Sequence, residues 1–302
     1  MGGRLPGVFL PRPGRNSSTS GPRAAKASGS RKFFWGLRAR VERGGRWRGV
    51  PIAEHIVGTT RGRARQLIAP ELARWLWVHL AAALPEAFSF VLMVDHFHLM
   101  APPGRRERVR RVLGSFTRRF GVRMEVEAAE RATTPKILGR QIRYGFYNPV
   151  RAGFVKEPWE WPWSTLRDLG QACFPIWTPL ESVARHLQLP PERALRGLSH
   201  LSACRPEPPG MHALEVISSH NLLHAVGATL RLPPREVLGD RQGRRLIVPT
   251  AAQRTRPPSS TDLAELLGVS SRAVRHLRTP EHPALSAALL CASNPQLQRP
   301  VG

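Results

Sequence analysis

The feature that most constrains this chain is the stretch at residues 87–100, Ala-Phe-Ser-Phe-Val-Leu-Met-Val-Asp-His-Phe-His-Leu-Met, which ends on Pro102-Pro103-Gly104. It is rich in strand formers and bounded by turn residues, so it reads as a strand that must be covered by a core. Its surroundings supply partners. Residues 50–59 read as another strand. Residues 70–84 read as a helix, with Leu72, Leu76, Leu80 and Leu84 at helical spacing and Pro85 closing it. A basic helix covers about 105–120, and a further helix at about 136–147 runs into Asn148-Pro149. Trp159, Trp161 and Trp163 alternate, which places them on one face of an extended segment packed on the core, with base stacking as the alternative. Residues 32–170 therefore read as one unit of mixed helix and strand.

At 302 residues the chain is long enough for two domains. Residues 1–31 are rich in Gly, Pro, Ser and Arg, and no acid precedes Glu42. Such a segment reads as a basic disordered tail. Residues 175–302 are mostly helical by pattern, interrupted by a linker at 204–210. Lys and Arg number 46 against 21 acids, a formal charge of +25. Codon bias can exchange Lys for Arg, but it does not remove acids. A polyanion relieves that self-repulsion, and nucleic acid is the commonest one. Three cysteines, Cys173, Cys204 and Cys291, lie far apart. They suit neither a disulfide framework nor a zinc finger, and they fit a reducing cytoplasm. No apolar run reaches the length of a membrane span, and no secretory signal is evident. The expected location is the cytoplasm, with the nucleoid.

Two constellations could carry chemistry. His96 and His98 stand two apart on a strand and so share a face, close enough to hold one divalent cation, while Phe97 points into a core. Tyr144 and Asn148 stand four apart on a helix and share a face. An amide oxygen is a hard ligand suited to Mg²⁺ or Mn²⁺. A phenol attacks well once a metal polarises the phosphate before it. The bland alternative makes Tyr144 a packing residue and Asn148 a helix stop before Pro149.

The segment Val-Leu-Met-Val-Asp-His-Phe-His-Leu-Met resembles the histidine–hydrophobe–histidine strand of the IS200-like single-tyrosine (HUH, Y1) transposases. It is especially similar to their REP-associated relatives, whose usual form is Val-Met-Pro-Asn-His-Val-His-Leu. The segment Tyr144-Gly-Phe-Tyr-Asn-Pro-Val-Arg-Ala-Gly-Phe-Val, followed by Trp161-Pro-Trp-Ser, is similar to those relatives' tyrosine helix and Trp-Pro-Trp/Phe-Ser signature. The resemblance covers roughly 40–170. It implies an α+β fold, a ferredoxin-like antiparallel sheet covered by helices, followed here by a mostly α-helical C-terminal domain. It implies metal ligation by His96, His98 and Asn148, and Tyr144 as nucleophile on a single-stranded or hairpin DNA phosphodiester. The products are a 5′-phosphotyrosine link and a free 3′-OH, with Mg²⁺ or Mn²⁺ and no nucleotide cofactor. His55 matches a frequent family histidine, structural or close to DNA. Asp95 stands where the family has Asn, Val94 where it has Pro, Gly145 follows the tyrosine, and 120–136 lacks a Gly-x-Leu-Trp-x-x-Arg-Phe element.

Residues 261–278 have helix-turn-helix spacing. Thr261 or Ser260 caps the first helix, Ala264 is small at the contact, and Gly268 turns. Ser270 or Ser271 caps the second helix, Val274 packs back, and Arg272, Arg275, His276 and Arg278 decorate the recognition helix. An ordinary helical hairpin is the alternative to a duplex-reading module. The leading reading is thus a transposase-like strand transferase. The competing one is a domesticated regulator that binds DNA without turnover. Hydrolysis of small substrates by a two-histidine metal site lacks a general-base Glu at the usual spacing. The sequence leaves a homodimer open.

Overall fold

The computed structural model describes residues 50–199, 218–253, 257–277 and 282–298, all within the unit Gly49–Gly302. The expected tail at 1–31, the linker at 204–210 and Arg278 lie outside the described residues.

A four-stranded antiparallel sheet of order β2-β3-β1-β4 organises the first part. The elements run β1 (Ala53–Thr60), α1 (Pro70–Ala83), β2 (Ser89–Leu92), β3 (His96–Ala101), α2 (Arg106–Phe120), β4 (Met124–Ala132). All eight residues of β1 are buried because it runs between β3 and β4. Odd and even residues of the strands feed two separate cores. Phe97, Leu99 and Ala101 join Ile56, Phe90 and Leu92 under α1 and α2, where they meet Leu76, Leu80, Val109, Leu113 and Phe116. Val91 and Met100 face the other way, onto α3 (Pro135–Phe146) through Leu138, Ile142 and Phe146. Thr134 caps α3 by accepting from the Ile137 amide, and Pro135 sits at its first turn, where a missing N–H costs nothing. Gly58 faces Phe97 across the β1–β3 ladder. A Cβ on Gly58 would lie 2.2 Å from the Phe97 ring, so only glycine leaves that ring its place.

Three expectations change. The stretch at 87–100 is not one strand but a hairpin, β2 and β3, closed by the Met93 amide donating to the His96 carbonyl at 2.7 Å. Both strands are buried, so the apolar run continues through the turn and hides it. β4 was not expected at all. Among the described residues it is an edge strand that pairs only with β1, and it carries Glu125, Glu127, Glu130 and Arg131, a composition that suits an edge and obscures a strand. The three tryptophans do not share a face. Trp159 sits on a short turn in the α3 core and Trp163 in the core under α1, while Trp161 packs against both and donates its indole N–H to the Leu92 carbonyl.

Helices fill the rest: α4 (Asn148–Arg151), α5 (Leu166–Leu169), α6 (Leu180–Leu187), α7 (Pro191–Ser199), α8 (Ser219–Leu230), α9 (Pro234–Val237), α10 (Arg241–Ala252), α11 (Ser260–Leu267), α12 (Ser271–Leu277) and α13 (Leu285–Ser293). Ala225 and Ala228 of α8 and Leu290 and Cys291 of α13 lie in the same core as α3 and Met100. Position 175 therefore marks a change in secondary structure and not a gap in packing. A buried polar knot holds that seam. The Asp168 carboxylate takes the Arg231 guanidinium, the Trp177 and Thr178 amides and the Cys173 thiol. Arg231 also lies 3.9 Å over the Trp77 ring, and Arg167 reaches the Leu297 carbonyl at 3.0 Å. No described helix is long and apolar enough to cross a membrane.

Candidate active site

The face of the sheet that carries Met100 also carries His96 and His98, because residues two apart on β3 share a side. α3 lies over this face and brings Tyr144 to it. The His96 and His98 rings meet edge to face with centroids 5.0 Å apart, and the Tyr144 ring stands edge-on to His98 at 6.0 Å. Gly145 faces His98 here, but an added Cβ would meet the His98 Cβ at 3.8 Å, an ordinary contact, so the approach does not require glycine. The structure thus gathers His96, His98 and Tyr144.

Each histidine is already engaged through one nitrogen. His96 Nδ1 lies 2.5 Å from the Asp95 carboxylate, and His98 Nδ1 lies 2.9 Å from His55 Nε2. His98 Nε2 is buried and has no partner. A proton on Nδ1 of each ring would leave the Nε2 lone pair as the free ligand, the arrangement by which an outer partner orients a metal-binding imidazole. Burial pushes the His55 imidazole down to about 4. Burial, with the charges of His96, His55 and Arg63, holds His98 well below the usual histidine range. Neutral rings are what a cation needs. For Asp95, burial alone would raise the carboxyl. The His96 hydrogen bond, the His96 charge and Arg63 outweigh it and hold it below the usual range. Arg63 stands 4.0 Å from Asp95. The Thr60 amide and hydroxyl both donate to the Asp95 carbonyl, which ties the start of β3 to the end of β1.

Tyr144 is half-buried, and its hydroxyl has no hydrogen bond among the described residues. Arg151 lies over its ring at 4.5 Å, a cation on the π face that fixes the phenol plane beside a positive charge. Tyr147 differs: its hydroxyl donates to the Ser199 carbonyl at 2.8 Å. Asn148 opens α4 just past the end of α3, and its side-chain nitrogen is buried without a partner. It makes no hydrogen bond to the histidine pair. Among the described residues no three His, Cys, Asp or Glu side chains converge to hold a metal. Reading motifs alone misses Arg151, and it finds Asp95 only as a departure from a pattern; the pairing register and the helix contact reveal both.

In the C-terminal part, Gly268 adopts a left-handed φ of 61° between α11 and α12. The cap of α11 is Ser259, one residue before the expected Ser260 and two before Thr261. It forms a capping box with Asp262, and that reciprocal bond decides the register. Ser270 caps α12 by accepting from the Ala273 amide at 3.2 Å. Ala264 and Val274 are buried, while Arg272, Arg275 and His276 are exposed.

No family model matches this chain, and no curated protein matches it. Among solved structures it is similar to the REP-associated tyrosine transposase bound to a REP hairpin. The identity is 23%, over 44% of this chain and 88% of that one, at a TM-score of 0.31. A likeness of that size says nothing about activity.

Proposed function

We propose that this chain is a metal-assisted DNA strand transferase of the single-tyrosine, IS200-like and REP-associated kind. The observation that carries the reading is the buried, unpartnered Nε2 of His98, set beside a second oriented histidine and a tyrosine with a free hydroxyl. The β1-α1-β2-β3-α2-β4 order and the 2-3-1-4 strand order support a ferredoxin-like sheet as its scaffold.

His96 and His98 would hold a divalent cation through their Nε2 atoms, with Asn148 as the amide ligand and water completing the shell, as Mg²⁺ and Mn²⁺ prefer. When bound, such a cation polarises the scissile phosphate and steadies charge on the leaving oxygen. The chain's own groups do the rest. Asp95 and His55 hold the two imidazoles in the ligating tautomer. Arg151 fixes the Tyr144 ring and offers positive charge to the phosphate. The Tyr144 oxygen attacks phosphorus and the bond from phosphorus to the 3′ oxygen breaks. The phenolic proton leaves to solvent, and the departing oxygen is protonated to a 3′-OH. The product is a 5′-phosphotyrosine, which the same 3′-OH or another can reverse.

Incubation of the chain with labelled single-stranded or hairpin DNA and Mn²⁺ is expected to give a covalent adduct that maps to Tyr144. Tyr144→Phe should abolish it, and Tyr147→Phe should keep it. His98→Ala should abolish it and lower Mn²⁺ affinity. A second reading, a DNA-binding regulator without turnover, draws on the lack of a third charged or imidazole ligand among the described residues. DNA binding by the wild type with no adduct at any metal concentration would decide for it.

A further inference from the structure

On the far side of the sheet from the histidines, α1 and α2 leave an open groove of about 530 Å³, lined by Trp75, His79, Ala82 and Ala83 of one helix and Arg108, Arg111, Val112 and Ser115 of the other. Trp75 is only half-buried, although its core neighbours Leu76 and Leu80 are wholly buried. It lies flat on the His79 ring, centroids 3.6 Å apart and planes within 14°. Phe116 and Phe120 prop it from behind at 5.6 and 5.9 Å. His79 Nδ1 is held by the Trp75 carbonyl at 2.8 Å, so the pair is a fixed platform. The floor beside it is small, because Ala82, Ala83 and Ser115 carry little bulk.

The opposite rim is positive. α2 holds six arginines and one glutamate. Arg108 shares Glu86 with Arg105, at 3.2 Å, whereas Arg111 has no ion-pair partner among the described residues. A flat aromatic platform facing guanidinium groups across a groove floored by small residues suits an unpaired base with its phosphates. The chain's own N-terminal segment is a poor occupant. No acid precedes Glu42, so it would bring positive charge to a positive rim.

We propose that this groove is a second contact for single-stranded DNA, stacking one base on Trp75–His79 while Arg108 and Arg111 take the flanking phosphates. Because the groove is on the opposite face of the sheet from Tyr144, the nucleotides it holds are not those at the histidine pair. The proposal does not depend on the strand-transfer reading, since binding alone is required.

The test uses the full chain carrying Tyr144→Phe, with oligothymidine in which 5-iododeoxyuridine replaces some bases. Irradiation should cross-link Trp75 or His79, identified by peptide mapping. Ala82→Glu, at an exposed position that touches no core, should remove those cross-links by placing a carboxylate in the groove. Trp75→Ala should weaken oligothymidine binding on the order of tenfold. Arg111→Ala should lower the slope of log affinity against log salt by about one. Cross-links confined to α3 or α12, or a cross-link yield unchanged by Ala82→Glu and Arg111→Ala, would overturn the proposal. So would displacement of the oligonucleotide from this groove by polyglutamate at lower concentration than by oligothymidine, which would make the occupant an acidic polypeptide.

Discussion

Around the histidine pair, polar groups are buried or half-buried and oriented before any ligand arrives: His98 against His55, His96 against Asp95, Tyr144 beneath Arg151. Along α12 the polar groups are displayed instead. Arg272, Arg275 and His276 face solvent, and Val274 is that helix's one buried residue. Under the proposed function the contrast separates two tasks. Chemistry at a phosphodiester needs groups held to within about half an ångström, and only packing and outer hydrogen bonds achieve that. Reading bases needs side chains that reach out from a firm helix. Val274 packs with Leu263 and Leu267 of α11 in a core of its own, and the sheet part is braced instead by α8 and α13, through shared core residues and the Asp168–Arg231 ion pair.

The largest effect should come from cutting that brace. Arg231→Met leaves the Asp168 carboxylate buried without its cation, a loss of about 3–5 kcal/mol. Urea denaturation should show it, with Asp168→Leu in the same chain restoring part. A single variant as stable as the wild type would mean that the seam is merely a contact. Next comes a test of pre-orientation in the sheet region. His55 has a folded value of about 4 against an ordinary 6.5. The unfolded chain therefore takes up the proton first as pH falls, so stability is full above about 6.5 and is lost on descent toward 4. The contribution is about 3 kcal/mol. Metal-free His55→Phe should lose less stability than the wild type between pH 7 and 4; parallel curves would refute the burial argument. Smaller still are the displayed side chains. Arg272→Ala and Arg275→Ala should each weaken binding to a cognate duplex by about 1–3 kcal/mol if they reach base edges, without moving the melting temperature. Uniform losses on every sequence would assign them to phosphates. Smallest is Ser259→Ala, which removes the capping box of α11 at a cost of about 1 kcal/mol, visible in thermal unfolding and absent from adduct yield.

Periodicity made α1, α2 and α3 legible, since each has one buried stripe and a proline or glycine at an end. The histidines were legible for the same reason: spacing of two on a strand fixes their common face. What escaped depends on distance along the chain. His55 meets His98 across 43 residues and Asp168 meets Arg231 across 63, through pairings that no local pattern records. β4 escaped because an edge strand gains from charge, and charge erases the apolar signature of a strand. The alternating tryptophans misled because period two implies one face only where the backbone is extended, and Pro158–Glu160 forms a tight turn.

The bond from the Tyr147 hydroxyl to the Ser199 carbonyl has a mechanical meaning. Ser199 ends α7, directly before the stretch that leads to the C-terminal helices. Tyr147 is three residues from Tyr144. A load on α7 is thus passed, like tension through a latch, to the very end of the helix that carries Tyr144.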